Sequence, residues 1–206
     1  MPTLLGMSIT IDWPIALRPA EVEWGLFIPQ EVQRAVLDGS PQVDILGAPR
    51  WQFQITSGPL KLDEAPAWEA LIDRLRGSIN RVRCWDWRRE GPLGPATGTP
   101  VVAANGSGNT LALSGWAPNI TAILKAGSYL DINGELKRLS GTINSSATGT
   151  ASITFEPPLR NAVTVGVAVG LFKPSALFIL KGNPPPMVQK GARCPGVTLA
   201  FEEVFS

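Results

Sequence analysis

The sequence predicts a mainly β fold with one principal α-helix: a β-sandwich-like strand–helix–strand domain, interrupted by an inserted small β-barrel. Three observations carry this. Residues 51–56 alternate Trp51, Phe53 and Ile55 with Gln52, Gln54 and Thr56, the period of two expected where one sheet face is buried. One amphipathic helix follows, and a second strand over residues 79–87 closes the unit. A long glycine- and threonine-rich β segment then leaves and returns before the chain ends on a further strand. On this division residues 1–92 and 175–206 make one discontinuous β domain, and residues 93–174 make the inserted barrel.

Taken in order, residues 7–13 alternate Ile9 and Ile11 with polar neighbours and predict a half-buried strand, which Pro14 and Pro19 then disrupt. Trp24 to Ile28 is a short apolar run. Residues 30–37 fit a brief helix and a strand about equally. After the strand at 51–56, Gly58-Pro59 marks a turn. Asp63 and Glu64 stand where carboxylates favour a helix start, and Pro66 is tolerated in a first turn. Trp68, Leu71, Ile72 and Leu75 then recur at spacings of three and four, one apolar face, and Gly77 supplies the stop. Ile79, Val82 and Cys84 alternate imperfectly with arginines, which predicts a bulge or an exposed edge.

Residues 90–100, rich in glycine and proline, read as a linker. Within the insertion, residues 110–116 predict a strand. Residues 128–132 and 135–139 predict a hairpin about Asn133-Gly134, the strongest short-range hairpin signal. Residues 151–155 predict a strand ended by Pro157-Pro158, and residues 163–169 predict one more. Some five short strands around a small core suit a compact barrel or sandwich. Residues 176–180 resume the first domain, Pro184-Pro185-Pro186 stiffen a loop, and residues 197–205 close the chain as a strand tied into a sheet.

Composition narrows function. The 206 residues carry 44% apolar side chains and 17% charged ones, with a net charge of +1. Such a chain has no basic field for nucleic acid or an anionic membrane. Histidine is absent, which removes the usual base near neutral pH and the commonest metal ligand. Two cysteines, Cys84 and Cys194, cannot fill a tetrahedral zinc site and are read as free thiols. Neither a secretory leader nor a run long enough to span a bilayer is read, so a soluble protein without an export address, metal or cofactor is expected.

Seven tryptophans are many for this length. Trp51 and Trp68 lie at core periodicity. Trp85 and Trp87 flank Asp86 and share a strand face, which either packs inward or lies at a subunit contact. With Arg88 and Arg89 they form the candidate interface. The arginines Arg81, Arg83, Arg88 and Arg89 suit an acidic partner or, as the plainer reading, a solvated strand face. Trp116 and Tyr129 belong to the insertion, where a small barrel would bury them; exposed, they would form a sugar-stacking platform. The carboxylates Asp86, Glu90, Asp131, Glu135 and Glu156 show no spacing that singles out an acid–base pair, and they are read as solvated surface. Gly106-Ser107-Gly108 is read as a loop with no following helix or lysine, hence no phosphate cradle.

Several runs resemble the distal tail proteins of long, flexible-tailed bacteriophages. These are Leu124-Lys-Ala-Gly-Ser-Tyr-Leu-Asp-Ile-Asn-Gly-Glu-Leu-Lys-Arg-Leu139, Ile153-Thr-Phe-Glu-Pro-Pro-Leu-Arg160 and Trp68-Glu-Ala-Leu-Ile-Asp-Arg-Leu-Arg-Gly77, within the same order of elements. The resemblance covers residues 50–206. It implies a structural virion protein, not an enzyme, forming a ring, usually of six copies, that joins the tail tube to the baseplate or tip and its fibres. The strand–helix–strand domain would form the ring, and the inserted barrel would face outward to hold tip or fibre proteins. It further implies assembly in the host cytoplasm and a final place in the virion tail tip. The alternatives are a carbohydrate-binding adhesin or tail-fibre component, using Trp116 and Tyr129, and a tail-associated hydrolase.

Overall fold

The computed structural model describes residues 8–34 and 39–205. Met7, at the start of the first expected strand, and residues 35–37 of the segment expected as helix or strand lie outside these. In chain order the first strands are β1 (Thr10–Asp12), β2 (Glu21–Phe27), β3 (Gln30–Arg34), β4 (Pro41–Ile45), β5 (Arg50–Thr56) and β6 (Leu60–Lys61). Helix α1 (Ala65–Leu75) and strand β7 (Arg81–Trp85) follow. The insertion contains β8 (Gly98–Val102), β9 (Gly106–Trp116), β10 (Tyr129–Ile132), β11 (Glu135–Leu139), β12 (Ala151–Val163) and β13 (Val169–Gly170). The chain finishes with β14 (Ser175–Leu180), β15 (Arg193–Cys194) and β16 (Thr198–Glu203). The fold is mainly β with one helix among the described residues, as expected.

Six strands form the main sheet in the order β1-β7-β14-β16-β5-β2, antiparallel except for the β1–β7 pair. Its inner face carries Trp51, Phe53, Ile55, Val82, Cys84, Phe178, Leu180, Leu199 and Phe201, and α1 covers it with Trp68, Leu71, Ile72 and Leu75. Aromatic rings fill the space between. Phe53 stacks on Trp24 at 4.7 Å between ring centres and on Phe201 at 4.7 Å, and Trp13 meets Phe201 edge-on at 6.1 Å. The helix ends on two left-handed residues, Arg76 (φ 51°) and Gly77 (φ 64°). Buried Asn80 then ties that end to β1, donating to the Arg74 carbonyl (2.7 Å) and accepting from the Ile9 N–H (3.2 Å). Ile9 and Ile79, expected on buried faces, are exposed and flank this corner, because strand pairing begins only at Thr10 and Arg81.

The insertion is a second six-stranded sheet, ordered β13-β10-β11-β12-β9-β8. It curls into a nearly closed barrel whose end strands meet through the Val101–Ala168 bridge, and the Val102 N–H donates to the Val167 carbonyl at 2.9 Å. Its own core includes Val102, Leu113, Trp116, Leu130, Ile153 and Phe155. The Asn133-Gly134 turn forms as expected, with both residues at positive φ (54° and 76°) and Ile132 opposite Glu135.

Several strand boundaries differ from expectation. The strand at 151–155 does not stop at the proline pair. β12 runs on to Val163 with register shifts on either side of Leu159, the accommodation a strand makes where prolines cannot donate to the ladder. Residues 163–169 therefore hold the end of β12, a turn and the start of β13 rather than a strand of their own. Gly106-Ser107-Gly108 lies within β9, and Gly98, Thr99 and Pro100, read as linker, lie within β8. Pairing with neighbouring barrel strands takes up Gly98, Gly106 and Gly108, and Pro100 is buried beside them. Residues 30–34 are strand, paired with β4, which the sequence reading had passed over.

Candidate functional site

The β10–β11 hairpin lays the barrel against the main sheet. Tyr129 and Leu136 join the main core rather than the barrel's own. The Trp51 indole N–H donates to the Leu136 carbonyl (2.8 Å), and the Tyr129 ring meets Trp51 edge-on at 5.6 Å. A buried ionic cluster spans the same junction. Lys137, fully buried, donates from Nζ to Glu135 Oε2 (2.7 Å) and to the Pro158 carbonyl (2.8 Å). Glu135 also accepts the backbone N–H groups of Arg160 (3.1 Å) and Asn161 (3.3 Å). Arg160 in turn donates to Glu203 on β16 at 2.6 Å, and Glu203 accepts the Trp51 N–H at 2.9 Å. Burial pushes the Glu135 carboxyl up, but the Lys137 ammonium and the Arg160 N–H together outweigh it and leave it below its ordinary value. Desolvation pulls the Lys137 ammonium down, against Glu135.

The four residues expected at an interface sit at this junction. Trp87 turns inward, edge-on to Trp13 (5.0 Å) and Phe53 (5.7 Å). Trp85 also packs against the main core and lies under the Lys173 ammonium at 4.8 Å. Both rings are partly buried against the main core. Arg88 grips the buried Asp86 carboxylate from Nε (2.9 Å) and Nη2 (2.8 Å), which raises the guanidinium pKa, while half of its side chain stays exposed. Arg89 donates to the Gly127 carbonyl on the barrel side (2.9 Å) and lies 5.8 Å from the Tyr129 ring centre.

The other candidate residues are placed as follows. Trp116 is 4% exposed and Tyr129 2%, so neither offers a ring face to a sugar. Burial, then the Asp86 carboxylate, push the Tyr129 hydroxyl up. Asp86 and Glu135, read as solvated, are buried and ion-paired, because partners distant in the fold or two residues along the chain supply the compensating charge. Glu90 is shared by Arg18 and Lys173, Asp131 caps the hairpin turn at the Gly134 N–H, and Glu156 accepts from Asn109. Cys84 and Cys194 are buried free thiols. Arg83 faces solvent, 3.4 Å from Asp12.

Interaction potential lies instead on the surface, around residues 21–46. Among the described residues β3 and β4 pair only with each other, with Val32 opposite Val43, and all ten of their residues are exposed. Phe27, Ile28, Val32, Val43, Ile45 and Leu46 present apolar side chains there, Ile45 at 71% exposure. A lone two-stranded ribbon is marginal in water, and these exposed apolar side chains make it the candidate interaction surface. Beside it, β2 is a seven-residue strand at the edge of the sheet, with one side unpaired among the described residues. Sequence reading missed β4. The signal was present in Val43 and Ile45 alternating beyond the Gly39-Ser40-Pro41 turn.

No protein-family model matches the chain, and no curated protein matches its sequence.

Proposed function

We propose that this chain is a structural subunit of a bacteriophage tail tip. Copies of the main-sheet domain close into a ring, six by the resemblance stated above, that joins the tail tube to the baseplate and fibres. The observation that carries an assembly role is the β3–β4 pair, exposed on both faces and studded with Val32, Val43 and Ile45, beside the open edge of β2. Closed cyclic symmetry covers such surfaces on every copy without leaving a growing end. The phage setting comes from the resemblance of residues 68–77, 124–139 and 153–160. In this reading the barrel, held to the ring domain by the junction cluster, projects toward tip and fibre proteins. The subunit performs no chemistry and ends in the virion.

Native mass spectrometry and electron microscopy of the purified chain test this. Closed rings are expected from the wild type. The pair Val32→Asp with Val43→Lys, which keeps opposite charges on the facing positions, should abolish them while shifting stability by no more than about 0.5 kcal/mol, as exposed substitutions do. A wild type that stays monomeric at high concentration, or rings that survive the double substitution, would count against the reading. An adhesin built on Trp116 and Tyr129 has lost its platform to burial.

A further inference from the structure

The two ends of the main sheet carry opposite charge, although the chain as a whole is nearly neutral. At the β2 end the described residues of 21–46 hold Glu21, Glu23, Glu31 and Asp44 against the single cation Arg34. Glu21 and Glu23 are exposed on the open face of the sheet, because Val22, Trp24 and Leu26 alternate with them and pack into the core. At the other end, the C-terminus of α1 and strand β7 hold Arg74, Arg76, Arg81 and Arg83 against Asp12 and Asp73. Arg81 and Arg83 share the open face with Glu21 and Glu23, since Val82 and Cys84 point inward. Four strand spacings separate β7 from β2 in the sheet order, so Arg81 and Arg83 stand roughly 19 Å from Glu21 and Glu23.

Each end also carries exposed apolar side chains: Phe27 and Ile28 at the acidic end, Ile9, Ile15 and Ile79 at the basic one. Neither end is suited to its own kind. A β2–β2 contact sets glutamates against glutamates, and like charges on facing strands are destabilising. The acidic end of one copy does match the basic end of another. β1 is only three residues long, so it shields little of that edge.

Resting on the ring reading above, the geometry points to a head-to-tail contact between copies. The acidic end formed by β2 and β3–β4 of one copy seats against the basic end formed by β1, β7 and the C-terminus of α1 in the next. A heterologous contact of this kind generates a ring when its rotation closes, and the charges select it over the self-pairings.

Charge reversal tests it. One variant carries Glu21→Arg and Glu23→Arg; the other carries Arg81→Glu and Arg83→Glu. Each alone should raise the concentration for half-assembly at least tenfold, while melting curves report the fold. Mixed in equal amounts, the two should assemble again, because alternating copies present complementary ends at every contact of an even-membered ring. Raising the salt should weaken wild-type assembly. If both variants assemble alone as the wild type does, or if the mixture fails to recover, the head-to-tail pairing is overturned and the ring reading survives. A monomeric wild type would overturn both.

Discussion

Replacing Lys137 with methionine should unfold the protein earlier by an amount its surroundings set. The Lys137 side chain is fully buried, and its ammonium is the cation that balances the Glu135 side chain, itself 8% exposed. Methionine fills nearly the same volume, so the perturbation is electrostatic rather than a cavity. Removing one partner of a buried pair costs about 3–5 kcal/mol, because the other charge stays behind uncompensated. Glu135 keeps the Arg160 and Asn161 N–H groups, which places the loss near the lower end, about 3 kcal/mol. For a chain of this size that is a fall of about 6–12 °C in Tm. Adding Glu135→Gln removes the stranded charge while its amide oxygen still accepts from the backbone. The double variant should therefore be the more stable of the two, short of the wild type by the lost donor to the Pro158 carbonyl and by the one backbone N–H, of Arg160 or Asn161, that then faces the amide nitrogen, about 1 kcal/mol each. Thermal and urea unfolding followed by circular dichroism measure both. A single variant within 1 kcal/mol of wild type, or a double variant worse than the single, would refute this account of the junction.

Two further outcomes are expected. The Glu135 carboxyl is held below its unfolded value, so its contribution to stability is complete above the ordinary glutamate range, about pH 4.3, and is lost as pH falls through the folded value; urea midpoints should fall less steeply below that pH in Glu135→Gln than in the wild type. Burial pushes the Cys84 thiol well up and away from the reactive thiolate, and Cys194 is also buried and unpaired; an aromatic disulfide reagent should titrate neither in the native protein and both in denaturant, and a missing thiol after denaturation would mean a disulfide.

Much of the fold was legible locally. β5 and α1 were found because their apolar residues repeat at two and at three-to-four, and each period places a whole face in one core. The Asn133-Gly134 hairpin was found because few residues other than glycine and asparagine tolerate two successive positive φ angles. β12 misled because prolines end most strands, whereas here a bulge and a barrel neighbour carry the strand past Pro157 and Pro158. The candidate interface was not legible in this way, because whether a tryptophan beside a sheet end faces a core or a partner depends on what else folds over it.

The mainly β character, the central helix and the lack of histidine were determined by the sequence alone, because they follow from periodicity, turn chemistry and composition. Only the tertiary structure decided that Tyr129 serves the main core rather than the barrel, that Lys137 and Glu135 are buried together, and that β3 and β4 stand exposed. Each of these depends on partners supplied by other strands or loops of the fold. Glu203 meets Arg160 across 43 residues, and the Trp51 N–H meets Glu203 across 152. No local pattern records a pairing made at that distance. The same holds for charge: Glu21, Glu23, Arg81 and Arg83 are scattered along the chain, and strand order alone gathers them at opposite ends of one sheet.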